Sequence, residues 1–582
     1  MAWRSAWLIS IFGGLCFFVA PFAVLQAHHF IYAANAERDQ GVYGRQAMVV
    51  SAHGLASEIG SEILAKGGNA FDAAIAVNFA LAVVYPQAGN IGGGGFMVFR
   101  LADGTTGSLD FRETAPRAAT ENMYMSKDGQ VRKDQSLQGH RAVGVPGTVA
   151  GMAAIYGRFA TLPWAELVEP SIRLAHAGYP LSKKAASMLN RYRSVFREVN
   201  QRSDAYWQET PWRVGDRIQL LELAATLRRI MMYGPADFYK GETAQLIVEE
   251  MQRGGGLITS ADLAAYSVRW RKPIEFSYRD YTIISMPPPS SGGVALRQLL
   301  GAAEDYDLAA LGHNTDTYVH FLTEMQRRVY ADRAEYLGDP DFVEVPVEQL
   351  TDRQYIRQRM STINPRKKTN SEEVRPGFAS LMESVETTHF SIVDPFGNAV
   401  AITTTLNGNF GSKVVVKEAG FFLNNEMDDF SIKAGHANQF GLLGGHANAI
   451  APGKRMLSSM TPTIVTRSGQ LSMVLGTPGG ATIITSVFQA LLNMIDFGMT
   501  AQQAVNARKF HSQWQPDIVL MEKGMPDIID LIGLHMRGHK LHYWPDFTYE
   551  LGRLEIIRVT EDGRLEGAAD WTRGHDDRAD GF

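Results

Sequence analysis

The feature that most constrains the fold is a sharp change of pattern at residue 387. Residues 362–380 are polar and weakly patterned, which predicts an exposed linker. Residues 387–394 are then rich in β-branched residues and alternate in character, and residues 399–405 do the same after a Pro-Phe-Gly-Asn turn at 395–398. This order predicts a hairpin of two strands that begins as soon as the linker ends.

The rest of the chain places strands and helices in blocks. Helices are predicted over Leu55–Ala65 and Ala70–Leu81, and helical periodicity continues over 150–270 and 315–335. Further predicted elements are strands at 96–100, 107–111, 281–286, 462–467, 470–476 and 554–559, and helices at 482–494 and 500–507. Blocks of this kind, without strict alternation, predict an α+β fold of layered sheets with outer helices.

The N-terminal segment is apolar and free of charge. Arg4 is followed by no charged residue until Glu37, and Trp7–Leu25 is an apolar run of 19 residues. A basic residue before such a run is typical of an export signal, and the run is close to the ~20 residues that span a bilayer. Residues 1–36 are therefore either a cleaved signal peptide or an N-terminal membrane anchor. Both alternatives place the remaining chain outside the cytosol, in a periplasmic or other extracytoplasmic location.

Composition excludes several classes of protein. Lys and Arg number 56 against 61 Asp and Glu, so the chain lacks the basic excess of a nucleic-acid-binding protein. Hydrophobic residues make up 45% of the chain, which argues against a disordered protein. Cys16 is the single cysteine, so neither an intramolecular disulfide nor a CxxC metal site can form.

Four local features could carry chemistry, although each alone also fits an ordinary turn, close packing or a surface ion pair. They are the glycine-rich Gly89–Phe96, Arg112 at a strand end, Thr387–His389 at the hairpin start, and the Ser458-Ser459 and Gly479-Gly480 pairs. The glycine run is out of register with GxGxxG, so it is a weak phosphate-loop candidate. Adjacent glycines can present backbone N–H groups to an oxyanion.

Taken in order along the chain, these segments resemble the γ-glutamyltranspeptidase family of the N-terminal nucleophile hydrolase superfamily. The resemblance runs from about Met48 to about Ala569. Its motifs are Gly67–Ala74, Pro86–Gly95, Asp110–Glu113, Thr387–His389, Thr405–Asn407, Asn424–Phe430, Lys454–Met460 and Pro478–Gly480.

The resemblance implies a four-layer αββα sandwich made from one precursor that cuts itself between Glu386 and Thr387. The products would be a large subunit, 37–386, and a small catalytic subunit, 387–582, held together as a heterodimer. Thr387 would then supply both the nucleophilic hydroxyl and, through its new α-amine with an ordinary pKa of about 7.7–8.0, the base.

The resemblance also implies a role for each site residue. Thr405 would orient Thr387, and Gly479 and Gly480 would bind the oxyanion. The α-carboxylate of a γ-glutamyl group would be held by Arg112, Ser458 and Ser459, and its α-ammonium by Asn407, Glu426 and Asp429. Glutathione is the expected donor, and water or the amine of an amino acid or peptide is the expected acceptor. No metal and no organic cofactor is implied. His389 is expected to make a structural hydrogen bond.

Three positions depart from the family pattern. Glu386 stands where Gln is often found, and Phe440 stands where a Tyr is expected in the lid-like segment 434–449. Asp570–Arg573 replaces a shorter Asp-Pro-Arg pattern.

Three alternatives compete with γ-glutamyl transfer. An acylase for glutaryl or cephalosporin-type amides would share the fold, but Glu426 and Asp429 favour a substrate with an ammonium group. A non-enzymatic binding protein would be expected to lack the nucleophile or the glycine pair, and this sequence has both. The third alternative is a metalloenzyme that uses His436, His446 and His511, but the spacing of these histidines fits no zinc motif.

Overall fold

The computed structural model describes residues 40–132, 134–201, 205–375, 387–433, 445–525, 527–543, 551–571 and 574–582. Within them the α-helices are α1 (Gly54–Ala65), α2 (Ala70–Val84), α3 (Asp134–Leu137), α4 (Thr148–Phe159), α5 (Trp164–Ala177), α6 (Lys183–Asn200), α7 (Leu221–Tyr233), α8 (Pro235–Lys240), α9 (Glu242–Gly254), α10 (Ser260–Ala265), α11 (Gly292–Ala303), α12 (Leu308–Leu311), α13 (Asp316–Tyr336), α14 (Val347–Thr351), α15 (Arg353–Met360), α16 (Ser371–Val374), α17 (Thr482–Ile495), α18 (Ala501–Asn506) and α19 (Ile528–Met536).

The strands are β1 (Val42–Gly44), β2 (Met48–Ser51), β3 (Gly94–Arg100), β4 (Thr106–Asp110), β5 (Tyr179–Pro180), β6 (Arg217–Ile218), β7 (Arg269–Arg271), β8 (Ile274–Tyr278), β9 (Tyr281–Ser285), β10 (Thr388–Val393), β11 (Ala399–Thr405), β12 (Thr463–Arg467), β13 (Gln470–Gly476), β14 (Phe510–His511), β15 (Val519–Met521), β16 (Leu541–Tyr543), β17 (Glu555–Val559), β18 (Leu565–Ala568) and β19 (Arg578–Gly581).

Most of these strands belong to two seven-stranded antiparallel sheets. Sheet I has the order β1-β18-β17-β13-β12-β9-β8, and sheet II has the order β19-β2-β10-β11-β3-β4-β7. The predicted hairpin, β10–β11, lies at the centre of sheet II, and Thr388 pairs with Thr404 at its open end. The residue that precedes β10, Thr387, is therefore held at the edge of a fully paired region.

Sheet II is buried on both faces. Alternate residues such as Val49, Met97 and Val400 pack into one apolar core with α1, α2 and α4. Their neighbours Val50, Val98 and Ala401 enter a second core shared with sheet I and with α11, α13 and α17. Because successive side chains of a strand point to opposite faces, the order of layers is helices, sheet II, sheet I, helices. The predicted α+β sandwich of type αββα is confirmed.

The predicted hairpin and the helices at both ends of the chain are confirmed to within a few residues. Residues 362–375 of the predicted linker are largely exposed, apart from the single short turn of α16, and residues 376–380 lie outside the described residues. Glu386, the predicted N-terminal segment 7–25 and Phe440 lie outside the described residues. Within the described ranges, no helix combines the length and apolarity that a membrane span requires.

Candidate active site

A cavity of about 290 Å³, lined mostly by buried residues and partly open to solvent, lies at the open end of the β10–β11 hairpin. Its lining contains nine of the ten predicted site residues, and the tenth, Gly479, directly precedes the lining residue Gly480. The lining residues are Arg112, Arg333, Thr387, Thr405, Asn407, Glu426, Asp429, Ser458, Ser459, Met460, Gly480 and Ile483. Segments that are up to several hundred residues apart in sequence thus meet in one pocket.

Two threonine hydroxyls face each other in this cavity. The Thr387 Oγ1 donates to the Thr405 Oγ1 at 3.5 Å, and the Thr387 residue is only 4% exposed. The Thr405 Oγ1 also accepts a 2.7 Å bond from the backbone N–H of Asn407. A distance of 3.5 Å is long for a hydroxyl pair, so this contact orients the Thr387 side chain but binds it weakly.

The glycine run beside the hairpin allows very close packing. Gly94 and Gly95 pair with Thr405 and Thr404 across β3 and β11. A Cβ on Gly93 would lie 2.0 Å from the Thr405 carbonyl oxygen. The glycines are therefore required by backbone approach, and the phosphate-loop interpretation is not needed to explain them.

A prediction follows for Gly93→Ala. The new methyl group would overlap the backbone of β11, which cannot move without disturbing Thr405, so we expect a loss of about 3 kcal/mol or more in the free energy of unfolding. Gly157→Ala in α4 is the matched control, because no atom lies within 4 Å of its added Cβ and a helical Gly→Ala change stabilises by about 0.5–1 kcal/mol. Thermal unfolding of both variants tests this, and equal melting temperatures would contradict it.

A buried side chain that sequence analysis missed also holds this region. The Asn90 Nδ2 donates to the Thr405 carbonyl at 2.9 Å and to the Thr404 Oγ1 at 3.1 Å. Its Oδ1 accepts from the Gly93 N–H at 3.0 Å and from the Thr148 hydroxyl at 2.7 Å. Asn90 thereby joins the glycine run, α4 and the end of β11.

Arg112 is the centre of a buried ion-pair network. Its Nη1 lies 2.8 Å from the Glu426 Oε2 and 3.7 Å from the Glu113 Oε2, and its Nη2 contacts Asp429. Its Nε also donates to the Met456 carbonyl at 3.3 Å. The residues predicted to bind opposite ends of a zwitterion therefore pair with each other in the structure.

Three carboxyl groups share this one guanidinium, and the pKa of each is raised. Burial raises the pKa of Glu113 to about 8, against the opposing effect of Arg112. Burial likewise raises the pKa of Glu426 well above its ordinary range and raises the pKa of Asp429. Burial disfavours the charged form of Arg112, but the Glu426, Asp429 and Glu113 carboxylates outweigh it and raise the pKa of that guanidinium. The Arg112 guanidinium therefore stays charged, and it is surrounded by more carboxyl groups than it can neutralise.

The raised pKa of Glu113 predicts a pH dependence of stability. The folded protein keeps a proton at Glu113 that the unfolded chain releases near its ordinary value of 4.5, so this group makes stability fall as the pH rises from about 4.5 to about 8. Glu113→Gln has no titrating carboxyl group at this position and so lacks this contribution to the pH dependence of stability. We therefore expect the melting temperature of the variant, relative to wild type, to increase between about pH 5 and pH 8. A difference that stays constant with pH would contradict this.

The hydroxyl oxygens of the two adjacent serines, Ser458 and Ser459, each accept a hydrogen bond. The Ser458 Oγ accepts from the Met460 N–H at 3.1 Å, and the Ser459 Oγ accepts from the Arg333 Nη2 at 3.0 Å. Both serines are buried and both line the cavity.

Gly479 and Gly480 precede the N-terminus of α17. Both have positive φ, at 145° for Gly479 and 52° for Gly480, and a Cβ on Gly479 would lie 2.6 Å from the Thr482 Oγ1. Glycine is therefore needed in this turn. The first N–H groups of a helix have no partner within the helix, so this end of α17 favours negative charge.

His389 makes structural contacts, as predicted. Its Nδ1 lies 2.8 Å from the Thr403 Oγ1 and its Nε2 lies 3.1 Å from the Ser391 Oγ. Burial lowers the pKa of the imidazole to about 3, so the ring is neutral at physiological pH. It is not among the residues that line the cavity.

Arg333, Met460 and Ile483 line the cavity and were not predicted. Arg333 lies in α13, whose sequence shows many charged residues without a distinctive pattern. A charged residue in a helix usually faces solvent, so no local signal distinguished Arg333. Its role became visible only from its burial and its contacts.

The structure has the features of the N-terminal nucleophile hydrolase class. These are two facing antiparallel sheets, outer helices and a buried threonine directly before a central strand. Comparison with known proteins narrows this class. The sequence profile described as Gamma-glutamyltranspeptidase matches residues 56–579. The chain belongs to the γ-glutamyltranspeptidase family.

Individual relatives agree with this assignment. The chain is 43% identical over 582 residues to the glutathione hydrolase proenzyme of Escherichia coli (strain K12), covering 100% of this chain and 99% of that protein. It is 48% identical over 494 residues to the glutathione hydrolase proenzyme of Pseudomonas sp. (strain A14), covering 84% and 86%. Among solved structures, a cephalosporin acylase from Bacillus halodurans superposes with a TM-score of 0.81 at 27% identity, covering 93% of this chain and 97% of that one.

Proposed function

We propose that this protein is a glutathione hydrolase and γ-glutamyltransferase that acts through Thr387. The observation that carries the proposal is one cavity whose lining combines the Thr387 hydroxyl, the Arg112 guanidinium and the Glu426 and Asp429 carboxylates. Such a set suits an acyl group that ends in both a carboxylate and an ammonium group. The glutathione hydrolase relatives support the same substrate class.

The chain first cuts itself between Glu386 and Thr387. The proenzyme names of the relatives support such a step. Attack of the Thr387 hydroxyl on the preceding carbonyl forms an ester, and water releases residues 37–386 as the large subunit and 387–582 as the small subunit. The released α-amine of Thr387 is a base with an ordinary pKa near 7.7–8.0, within reach of its own hydroxyl.

Transfer then follows in two acyl-transfer steps. The α-amine accepts the Thr387 hydroxyl proton while Oγ1 attacks the γ-carbonyl carbon of the donor, and Gly479 and Gly480 N–H groups stabilise the oxyanion. Collapse breaks the amide bond, and the departing amine takes up the proton. Water or an acceptor amine then attacks the γ-glutamyl ester and regenerates Thr387. Each oxyanion donor contributes about 2.7–4 kcal/mol in enzymes of known mechanism.

The bound head group replaces the pairing of Arg112 with Glu426 and Asp429. The substrate carboxylate takes the Arg112, Ser458 and Ser459 side, and the substrate ammonium takes the Asn407, Glu426 and Asp429 side. An ammonium group offsets the excess of buried acid in this network. A substrate without an ammonium group leaves that excess uncompensated, which is why γ-glutamyl amides are preferred over glutaryl amides.

Three chromogenic amides test the substrate class: γ-glutamyl, glutaryl and 4-aminobutanoyl p-nitroanilide. The second lacks the ammonium group and the third lacks the carboxylate. We expect kcat/KM for the γ-glutamyl compound to exceed that for the glutaryl compound by more than about a hundredfold. Asp429→Asn should reduce the ratio of kcat/KM for the γ-glutamyl compound to kcat/KM for the glutaryl compound. A preference for the glutaryl compound would instead support the acylase alternative, to which the structural likeness to a cephalosporin acylase is relevant.

We also propose that the protein is exported. The apolar, uncharged run at residues 7–25 after Arg4 supports this location. N-terminal sequencing of protein from fractionated cells decides between a cleaved signal and a retained anchor, and an intact N-terminus in the cytosolic fraction would contradict export.

A further inference from the structure

A second buried guanidinium lies in the cavity in addition to Arg112. Arg333, near the C-terminal end of α13, is only 4% exposed and lines the pocket. Its Nη2 donates to the Ser459 Oγ at 3.0 Å, and its Nε donates to the Ser291 Oγ at 2.9 Å. A buried Arg needs such partners, and here two of them are hydroxyl groups next to the carboxylate-binding wall.

Arg333 also reaches the other serine of the pair, through Ser291. The backbone N–H and the hydroxyl of Ser291 both donate to the Ser458 carbonyl, at 2.8 Å and 2.7 Å. Ser291 is fully buried at the start of α11. One planar guanidinium therefore connects α13 and α11 to both residues of the Ser458-Ser459 turn.

The direction of these hydrogen bonds determines what the serines can do. A guanidinium has only donors, so the Ser459 Oγ must accept from Arg333. The Ser458 Oγ accepts from a backbone N–H in the same way. Each serine oxygen thus uses a lone pair in these contacts, and its O–H can be directed to an anion in the cavity.

The charge of Arg333 is suited to the same task. The Arg112 side chain already contacts two carboxylates, Glu426 and Asp429, which offset its charge. Arg333 adds a second positive charge to the cavity wall, close enough to Asp429 to favour its ionised form. Charge-assisted donors bind a carboxylate more strongly than neutral ones, and a cation that donates to a hydroxyl makes that hydroxyl a better donor.

We propose that Arg333 is a positioning residue for the substrate's carboxylate: it holds the Ser458-Ser459 pair as two hydroxyl donors and supplies the second positive charge of that subsite. The proposal rests on the proposed γ-glutamyl function, since it assigns the recognition of the donor's carboxylate.

Arg333→Gln and Arg333→Lys test it with the three p-nitroanilides. In Arg333→Gln we expect KM for the γ-glutamyl compound to rise about 10- to 100-fold, with kcat changed less than about threefold. The glutaryl compound, which keeps the carboxylate, should lose kcat/KM by a similar factor. The 4-aminobutanoyl compound, which lacks it, should change less than about threefold. Arg333→Lys keeps the charge but lacks the planar fork of donors that spans the two hydroxyls, so its losses should be intermediate.

Two controls separate positioning from a general structural effect. Arg353→Gln removes a guanidinium that is 55% exposed and pairs with Glu304 at 3.5 Å, and it should leave all three rates unchanged. In a Ser459→Ala background, Arg333→Gln should have a smaller effect than in wild type, because the two residues act through one contact. Additive effects would contradict the proposed connection.

Several outcomes would overturn the inference. An equal loss for all three compounds, a loss confined to kcat, or an unchanged KM in Arg333→Gln would each do so. If that variant is not processed, Arg333→Lys decides, and an unchanged KM for the γ-glutamyl compound in processed Arg333→Lys overturns the proposal. Failure of the proposed function looks different, because wild type itself would then show no preference for the γ-glutamyl compound.

Discussion

Thr387→Ala is expected to remain one uncut chain and to lose at least about 10⁴-fold in kcat for γ-glutamyl amides. The variant lacks the hydroxyl that attacks the preceding carbonyl, so no new α-amine is released. It therefore lacks both the nucleophile and the base. Because the hydrogen bond from the Thr387 hydroxyl to Thr405 is long, at 3.5 Å, removal of this hydroxyl should leave thermal stability nearly unchanged. Gel electrophoresis, a donor assay and thermal unfolding measure the three effects.

Thr387→Ser is the matched control for this prediction. It keeps a hydroxyl at the same position but loses the methyl group, which frees the side chain to rotate. We expect it to be cut and to retain measurable activity. A cut, active Thr387→Ala variant would show that another residue is the nucleophile.

Arg112→Gln is expected to have the largest effect on stability. The guanidinium is 1% exposed and contacts Glu426 and Asp429, with Glu113 at 3.7 Å. Its removal takes away the guanidinium that three buried carboxyl groups share, and breaking a buried pair in this way typically costs about 3–5 kcal/mol. Thermal or denaturant unfolding measures this loss. The donor KM should rise as well, because the proposed binding site for the donor's carboxylate loses one of its charged donors.

The pH dependence of that loss identifies its cause. The carboxyl groups can escape unpaired charge by taking up protons, so the deficit of Arg112→Gln relative to wild type should shrink as the pH falls from about 8 to about 5. Adding Glu426→Gln, which removes one of the unpaired charges, should recover part of the stability. A deficit that is independent of pH would point to lost packing of the guanidinium stem.

Much of the fold could be predicted because its signals are local. The β10–β11 hairpin follows from β-branched alternation around a Pro-Phe-Gly-Asn turn, and α1 and α2 from Ala-rich periodicity interrupted by Gly67-Gly68-Asn69. The short edge strands β1 and β19 were not predicted, because three or four residues carry no clear period and pair only through contacts distant in sequence.

The site residues could be predicted only through family resemblance. Arg112, Glu426 and Ser459 come from separate segments, and no spacing in the chain shows that they meet. The resemblance gave each residue a role but did not reveal that Arg112 pairs with Glu426 and Asp429. Arg333 and Asn90 act through tertiary contacts alone, so only the structure could identify them.

The central claim is that Thr387 becomes an N-terminal nucleophile, and the most direct test is intact mass spectrometry of wild-type protein during turnover of a γ-glutamyl donor. The account predicts two chains, the smaller beginning at Thr387 and ending at Phe582, with a fraction of that chain carrying one γ-glutamyl group on its first residue. A folded protein that stays as a single chain, or a γ-glutamyl group attached to any residue other than Thr387, would contradict it.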